Sequence, residues 1–123
     1  MIGLAALALG CSPSFYGVSP PPPGYTAVLH TAADTISISS GVALAFECRS
    51  ASYSPCEKAT ATVDDPAIAK VMPAYFNQVS ERWTWGGPKP VNGFVVIGLK
   101  PGATTIRVKS DNGDGELKVS VVQ

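Results

Sequence analysis

The sequence predicts an all-β protein folded as a two-sheet β-sandwich. Three observations predict it. Short runs alternate apolar and polar residues with a period of two, as strands with one buried face do. Clusters of Gly, Pro, Asn and Asp punctuate those runs at short intervals. Thr, Ser, Val, Gly and Pro are abundant, and helix formers are not gathered into helical periods. The chain has 123 residues and no internal repeat. Setting aside the first ten and a linker leaves about 100 residues, the usual size of such a sandwich, so one domain is expected.

The chain opens Met1-Ile2-Gly3-Leu4-Ala5-Ala6-Leu7-Ala8-Leu9-Gly10-Cys11-Ser12, an apolar run ending in small residues before a cysteine. It is too short to cross a bilayer, which takes about 20 apolar residues. It has the form of the hydrophobic region and cleavage site of a secretory signal. With Cys11 at the first mature position, the stretch resembles a bacterial lipoprotein signal. That resemblance implies diacylation of the Cys11 thiol, cleavage before it, and acylation of the new amino group. Two or more acyl chains anchor a protein stably, whereas one does so only marginally. No Lys or Arg precedes the apolar run, so Met1 is expected to be internal to a longer signal. The alternative is an N-terminal strand with a buried free cysteine.

Residues 1–10 are therefore expected to be a partial signal peptide, and residues 11–24 a lipid-anchored cysteine followed by a Pro-rich linker. The linker holds Phe15-Tyr16-Gly17 and then Ser19-Pro20-Pro21-Pro22-Pro23-Gly24. Consecutive prolines lack amide donors and prefer the extended polyproline helix. At about 3 Å per residue, this segment would hold the domain roughly 30–40 Å from the membrane.

The domain is expected over residues 25–123. Residues 25–30 form the first extended segment. Thr35-Ile36-Ser37-Ile38-Ser39 places both isoleucines on one face, and Gly41 turns the chain. In the next run Val42, Leu44, Phe46 and Cys48 share the inner face. Residues 59–63 are a further strand, Asp64-Asp65-Pro66 a turn, and residues 68–72 extended again. Residues 75–79 and 81–85 are readable as two short strands. Gly86-Gly87-Pro88-Lys89-Pro90 is not expected in a central strand, because proline cannot donate to a ladder. Residues 94–99 read as a strand and Lys100-Pro101-Gly102 as a tight turn. Ile106 and Val108 then point inward, with Arg107 and Lys109 outward. Asp111-Asn112-Gly113-Asp114-Gly115 is a hairpin loop, and Leu117, Val119 and Val121 complete the last inward face.

Three segments carry a family resemblance. They are Ala61-Thr62-Val63-Asp64-Asp65-Pro66-Ala67-Ile68-Ala69-Lys70-Val71, Val96-Ile97-Gly98-Leu99-Lys100-Pro101-Gly102-Ala103-Thr104-Thr105-Ile106-Arg107-Val108, and Lys118-Val119-Ser120-Val121. Together they resemble the bacterial Ig-like group 2 pattern, over about residues 34–122. The resemblance implies an immunoglobulin-like sandwich of the invasin and intimin type. It also implies a non-catalytic module that binds or spaces at the cell envelope. Residues 73–92 fit the pattern badly and read as an insertion.

The cysteines are Cys11, Cys48 and Cys56. Lipidation of Cys11 leaves a pair, and a Cys48–Cys56 disulfide would close a small loop, worth about 2–3 kcal/mol by chain entropy. An oxidising compartment permits it. Two thiols with the distant His30 make a poor tetrahedral metal set, so neither a metal nor another cofactor is expected.

Lys and Arg total 9, and so do Asp and Glu. No field or basic block favours nucleic acid, which is excluded as a partner. Asp111, Asp114 and Glu116 do not follow the order of a calcium loop. Asp64 and Asp65 are neighbours that point apart, and are expected to serve the turn. His30 belongs to no nucleophile signature. No catalytic residue is assigned, and the chain is read as a non-enzyme.

Trp83 and Trp85 would point the same way from an extended strand, with Glu81, Arg82 and Tyr75 near in sequence. They either cover an open edge of the core or present a platform to a glycan or protein. The expectation is a monomeric lipoprotein of the cell envelope, anchored in the bacterial outer membrane, with a structural or adhesive module. The alternative is a binding lipoprotein that uses Tyr75, Arg82, Trp83 and Trp85.

Overall fold

The computed structural model describes residues 12–18, 20–52, 54–77 and 90–123. They form nine strands and no helix: β1 Ser14–Gly17, β2 Ala27–His30, β3 Thr35–Ser39, β4 Ala43–Arg49, β5 Thr60–Val63, β6 Ala69–Asn77, β7 Pro90–Gly98, β8 Gly102–Ser110 and β9 Gly113–Val122. One sheet has the order β1-β4-β7-β6 and the other β2-β3-β9-β8-β5. Pairing is antiparallel except between β3 and β9, which run parallel with Ile36 opposite Val119.

The alternation read from the sequence sets the two inner faces. Ile36 and Ile38 from β3, Ile106 and Val108 from β8, and Leu117, Val119 and Val121 from β9 are buried from one side. Leu44, Phe46 and Cys48 from β4, with Phe94 and Val96 from β7, meet them from the other. Val42, just before β4, is buried with them. Burying one such side chain stabilises the fold by about 1.5–3 kcal/mol. Phe46 lies between two rings, its centroid 6.2 Å from Phe15 and 5.6 Å from Phe94.

The expectation that residues 11–24 form an unpacked spacer is corrected by β1. Ser14–Gly17 pairs antiparallel with β4, with Phe15 opposite Cys48. Phe15 is 0% exposed. An aromatic ring with an open sheet edge beside it gains more by burial than a spacer gains by remaining extended. Pro20–Gly24 keeps the expected character, as an exposed loop between β1 and β2.

Pro90 is a second correction. It opens β7, an interior strand, opposite Asn77. The pairing of β7 with β4 ends at Glu47 opposite Gly93, so no ladder partner awaits the donor that Pro90 lacks. The expected insertion at 73–92 is thus partly regular sheet: Pro73–Asn77 and Pro90–Asn92 prolong the β6–β7 pairing.

Pro73 also sits in a strand without cost to the sheet. Leu99 N donates to Ile68 O at 2.8 Å, which makes residues 70, 72, 74 and 76 the ones that exchange bonds with β7. Pro73 therefore directs its missing donor to the free edge of β6.

Candidate functional site

Chain direction brings several segments to one end of the sandwich. The start of β1, the turn 31–34, the close of β4, the start of β5 and the turn between β8 and β9 all meet there. Thr31 Oγ1 donates to Phe15 O at 2.9 Å. A β-carbon on Gly115 would lie 2.8 Å from Phe15 Cζ and 3.2 Å from Pro13 Cγ, so only glycine lets this end of β1 lie flat on β9.

The expected Cys48–Cys56 disulfide is present, with 5.5 Å between its α-carbons. Both half-cystines are buried. Cys56 N donates to Cys48 O at 3.0 Å and Ser50 N to Ser54 O at 2.7 Å, so the closed loop carries its own backbone bonds. Beyond it, Glu57 N donates to Asn112 Oδ1 at 2.7 Å and Asp111 N to Glu57 O at 3.0 Å. The exposed Lys58 ammonium lies 3.8 Å from Asp111. Beside the disulfide, Arg49 Nε donates to Glu47 Oε1 at 2.8 Å, with both side chains about 15% exposed.

On the outer face of the five-stranded sheet Arg107 engages two carboxylates. Arg107 donates from Nε and Nη2 to the two carboxylate oxygens of Asp64, at 2.8 and 2.9 Å, and from Nη1 to Glu116 at 2.6 Å. These hydrogen bonds, aided by the guanidinium charge, hold the Asp64 carboxyl below the usual aspartate range. Asp64 and Glu116 in turn push Arg107 further up. Asp65 serves the turn: its Oδ1 accepts from Ala67 N at 3.0 Å, and its own N donates to Thr104 Oγ1 at 2.9 Å. Asp34 stands apart. Burial pushes its carboxyl up, and its φ of 52° lies in the left-handed region.

Two shallow surface depressions are lined by described residues. One, on the same outer face, is lined by hydroxyls and a cation, including Thr35, Ser37, Thr105, Lys118 and Ser120, with exposed His30 at its margin. The other lies between β1 and β2 and is lined by Tyr16, Val18, Pro20, Pro21, Val28 and Leu29. Among the described residues no three of His, Cys, Asp and Glu converge to hold a metal. Every buried side-chain N or O described has a hydrogen-bond partner. These groups can hydrogen-bond or form ion pairs. No nucleophile is paired with a base among the bonds described.

The residues singled out from sequence fare differently. Cys48 and Cys56 are brought together as expected. Tyr75 belongs to β6, opposite Asn92. Cys11, Arg82, Trp83 and Trp85 lie outside the described residues. Asp64 and Glu116, 43 and 9 residues from Arg107 in sequence, were not linked to it by any spacing signal, and only the β5–β8 and β8–β9 registers bring both to Arg107. Sequence reasoning also missed Pro13 and Phe15 as parts of the fold. The signal available was an aromatic pair, Phe15-Tyr16, in a stretch otherwise suited to solvent.

No family model matches the chain, and no curated protein does either. Solved structures offer distant likenesses. Domains 4 and 5 of the S-layer protein SbsC match at 20% identity and a TM-score of 0.48, over 88% of this chain and 54% of that one. The S-layer protein rSbsC(31-844) matches at 21% identity and 0.48, over 79% and 13%. SbsC domains 5–6 match at 18% and 0.46, over 90% and 45%. The chain spans about half, or less, of the length of each.

Proposed function

We propose that this chain is a bacterial envelope lipoprotein. Its acylated Cys11 holds a non-catalytic, immunoglobulin-like sandwich at the outer membrane as a structural or adhesive module. The observation that carries the reading is the apolar tract ending at Cys11, followed within three residues by the first strand of the fold. The disulfide suits an oxidising compartment. The Asp64 and Asp65 carboxylates are engaged by Arg107 and by a turn amide, which suits a binding or spacing role. The group 2 Ig-like reading is supported by the contact between Ile68 and Gly102, which joins two of the segments that resemble that family.

Mass spectrometry of the mature N-terminus tests this. The expected product begins at a Cys11 bearing acyl chains, and Cys11→Ser moves the protein out of the membrane fraction. Exported protein that retains an unmodified Met1 overturns the reading.

A second reading is ligand binding by Tyr75, Arg82, Trp83 and Trp85, favoured by the two indoles spaced two apart in sequence. A glycan array comparing the full chain with a Trp83→Ala/Trp85→Ala variant separates the two. Loss of a specific glycan signal favours this reading, and an unchanged blank array removes it.

A further inference from the structure

We infer that the sandwich stands end-on against the membrane, with the end that carries the Cys48–Cys56 loop resting on the lipid headgroups. The inference rests on acylation of Cys11, proposed above, and adds which surface meets the bilayer and how.

Between Cys11 and the first strand residue, Ser14, stand only Ser12 and Pro13. Three Cα-to-Cα steps reach at most about 11 Å. The headgroup layer itself is about 5–8 Å thick on each side of the hydrocarbon. Even this short reach is not slack. Pro13 is buried, packed with Phe15 over Gly115. The prolines that were expected to act as a spacer lie after β1, in the loop to β2, and add nothing to the tether.

Among the described residues, the surface so presented includes Ser52, Ser54, Glu57, Lys58 and Asp111, all exposed. The exposed large apolar residues described are Val18, Tyr25, Val28, Met72, Leu99 and Val122. By the strand registers, none of them is at this end. The described residues at this end, rich in hydroxyls and bearing both signs of charge, can hydrogen-bond to phosphate and glycerol oxygens. Contact through these residues is therefore with headgroups. The opposite end, with the Lys100 turn and Val122, is carried one strand length away, about 30 Å for nine residues.

The test uses the acylated protein purified from membranes and reconstituted in vesicles of phosphatidylethanolamine and phosphatidylglycerol, 3:1. Single substitutions Lys58→Cys, Asp111→Cys and Lys100→Cys each carry a fluorophore, and part of the lipid carries a nitroxide on its headgroup. Quenching is expected to be at least about threefold stronger at positions 58 and 111 than at 100. Nitroxides placed deep in the acyl chain should quench none of them. A variant with twelve Gly and Ser residues inserted between Ser12 and Pro13 should lose the difference between ends while remaining on the vesicles. Equal quenching at both ends of the normal-tether protein, with acyl chains verified on the same sample, overturns this inference alone. Quenching by the deep nitroxide overturns the headgroup-only contact. Absence of acyl chains on Cys11, read directly by mass spectrometry, overturns the underlying lipoprotein reading and this inference with it.

Discussion

Ile68 occupies the space that a side chain on residue 102 would need. A β-carbon on Gly102 would lie 2.6 Å from Ile68 Cδ1, and Gly102 has a φ of 152°. Ile68 O also accepts from both Leu99 N and Lys100 N, so one residue locks the turn from below and from the side. Gly98, four residues earlier, is constrained differently. Its β-carbon would meet the backbone oxygen of Ser39 at 2.7 Å. Gly102→Ala should cost about 1–2 kcal/mol through backbone strain, since the isoleucine tip can rotate away. Gly98→Ala should cost about 2–3 kcal/mol, because a backbone carbonyl cannot. Urea denaturation of the two variants checks the order, and a larger loss for Gly102→Ala contradicts it.

Phe15 should behave as core. Phe15→Ala is expected to lower stability by about 3–5 kcal/mol, the loss typical of a fully buried phenylalanine. A true spacer residue would change it by less than about 0.5 kcal/mol. Chemical denaturation distinguishes these outcomes directly.

Asp64 and Asp34 should give opposite pH responses. Asp64 is depressed in the fold, so its contribution is present above the ordinary aspartate value and is lost as pH falls through its folded value. Asp64→Asn should thus be less stable than the parent near neutrality, with the gap closing towards pH 2 and shrinking in high salt. Asp34 is raised by burial, so stability is greatest with its carboxyl protonated and declines as pH rises through its folded value. Asp34→Asn should gain on the parent as pH climbs from 3 to 6. Thermal melts across that range decide both, and parallel curves for parent and variant would contradict either.

Pro73 should act as a guard against self-association. It withholds a donor from the free edge of β6, a nine-residue strand. Pro73→Val restores that donor and a strand-forming side chain. Monomer stability should change by less than about 1 kcal/mol, while sedimentation reveals a dimer or larger species that the parent does not form at equal concentration.

Legibility in the sequence followed burial. Ile36, Ile38, Val42, Leu44, Phe46, Ile106, Val108, Leu117, Val119 and Val121 were readable because each recurs at every second position in a run bounded by turn residues. Four-residue β1 offers no period, and prolines on both sides of it argue for solvent, so its place depended on an open edge of β4 that no local pattern announces. Pro90 misled because the rule against proline in central strands is a rule about missing partners, and β4 has already ended there. The Cys48–Cys56 pair was legible by counting thiols. The Arg107 cluster was not, since its partners come from two other chain segments.

The parallel pairing of β3 with β9 carries a kinetic consequence. The last strand is the one that joins the β2–β3 hairpin to β8 and β5, so the five-stranded sheet has no intermediate stage in which its halves touch. A nascent polypeptide emerging from its N-terminus can form the β6–β7 and β2–β3 hairpins early, but closure waits for Leu117, Val119 and Val121 to appear. Until then the β2–β3 hairpin and the β8–β5 pair remain unjoined.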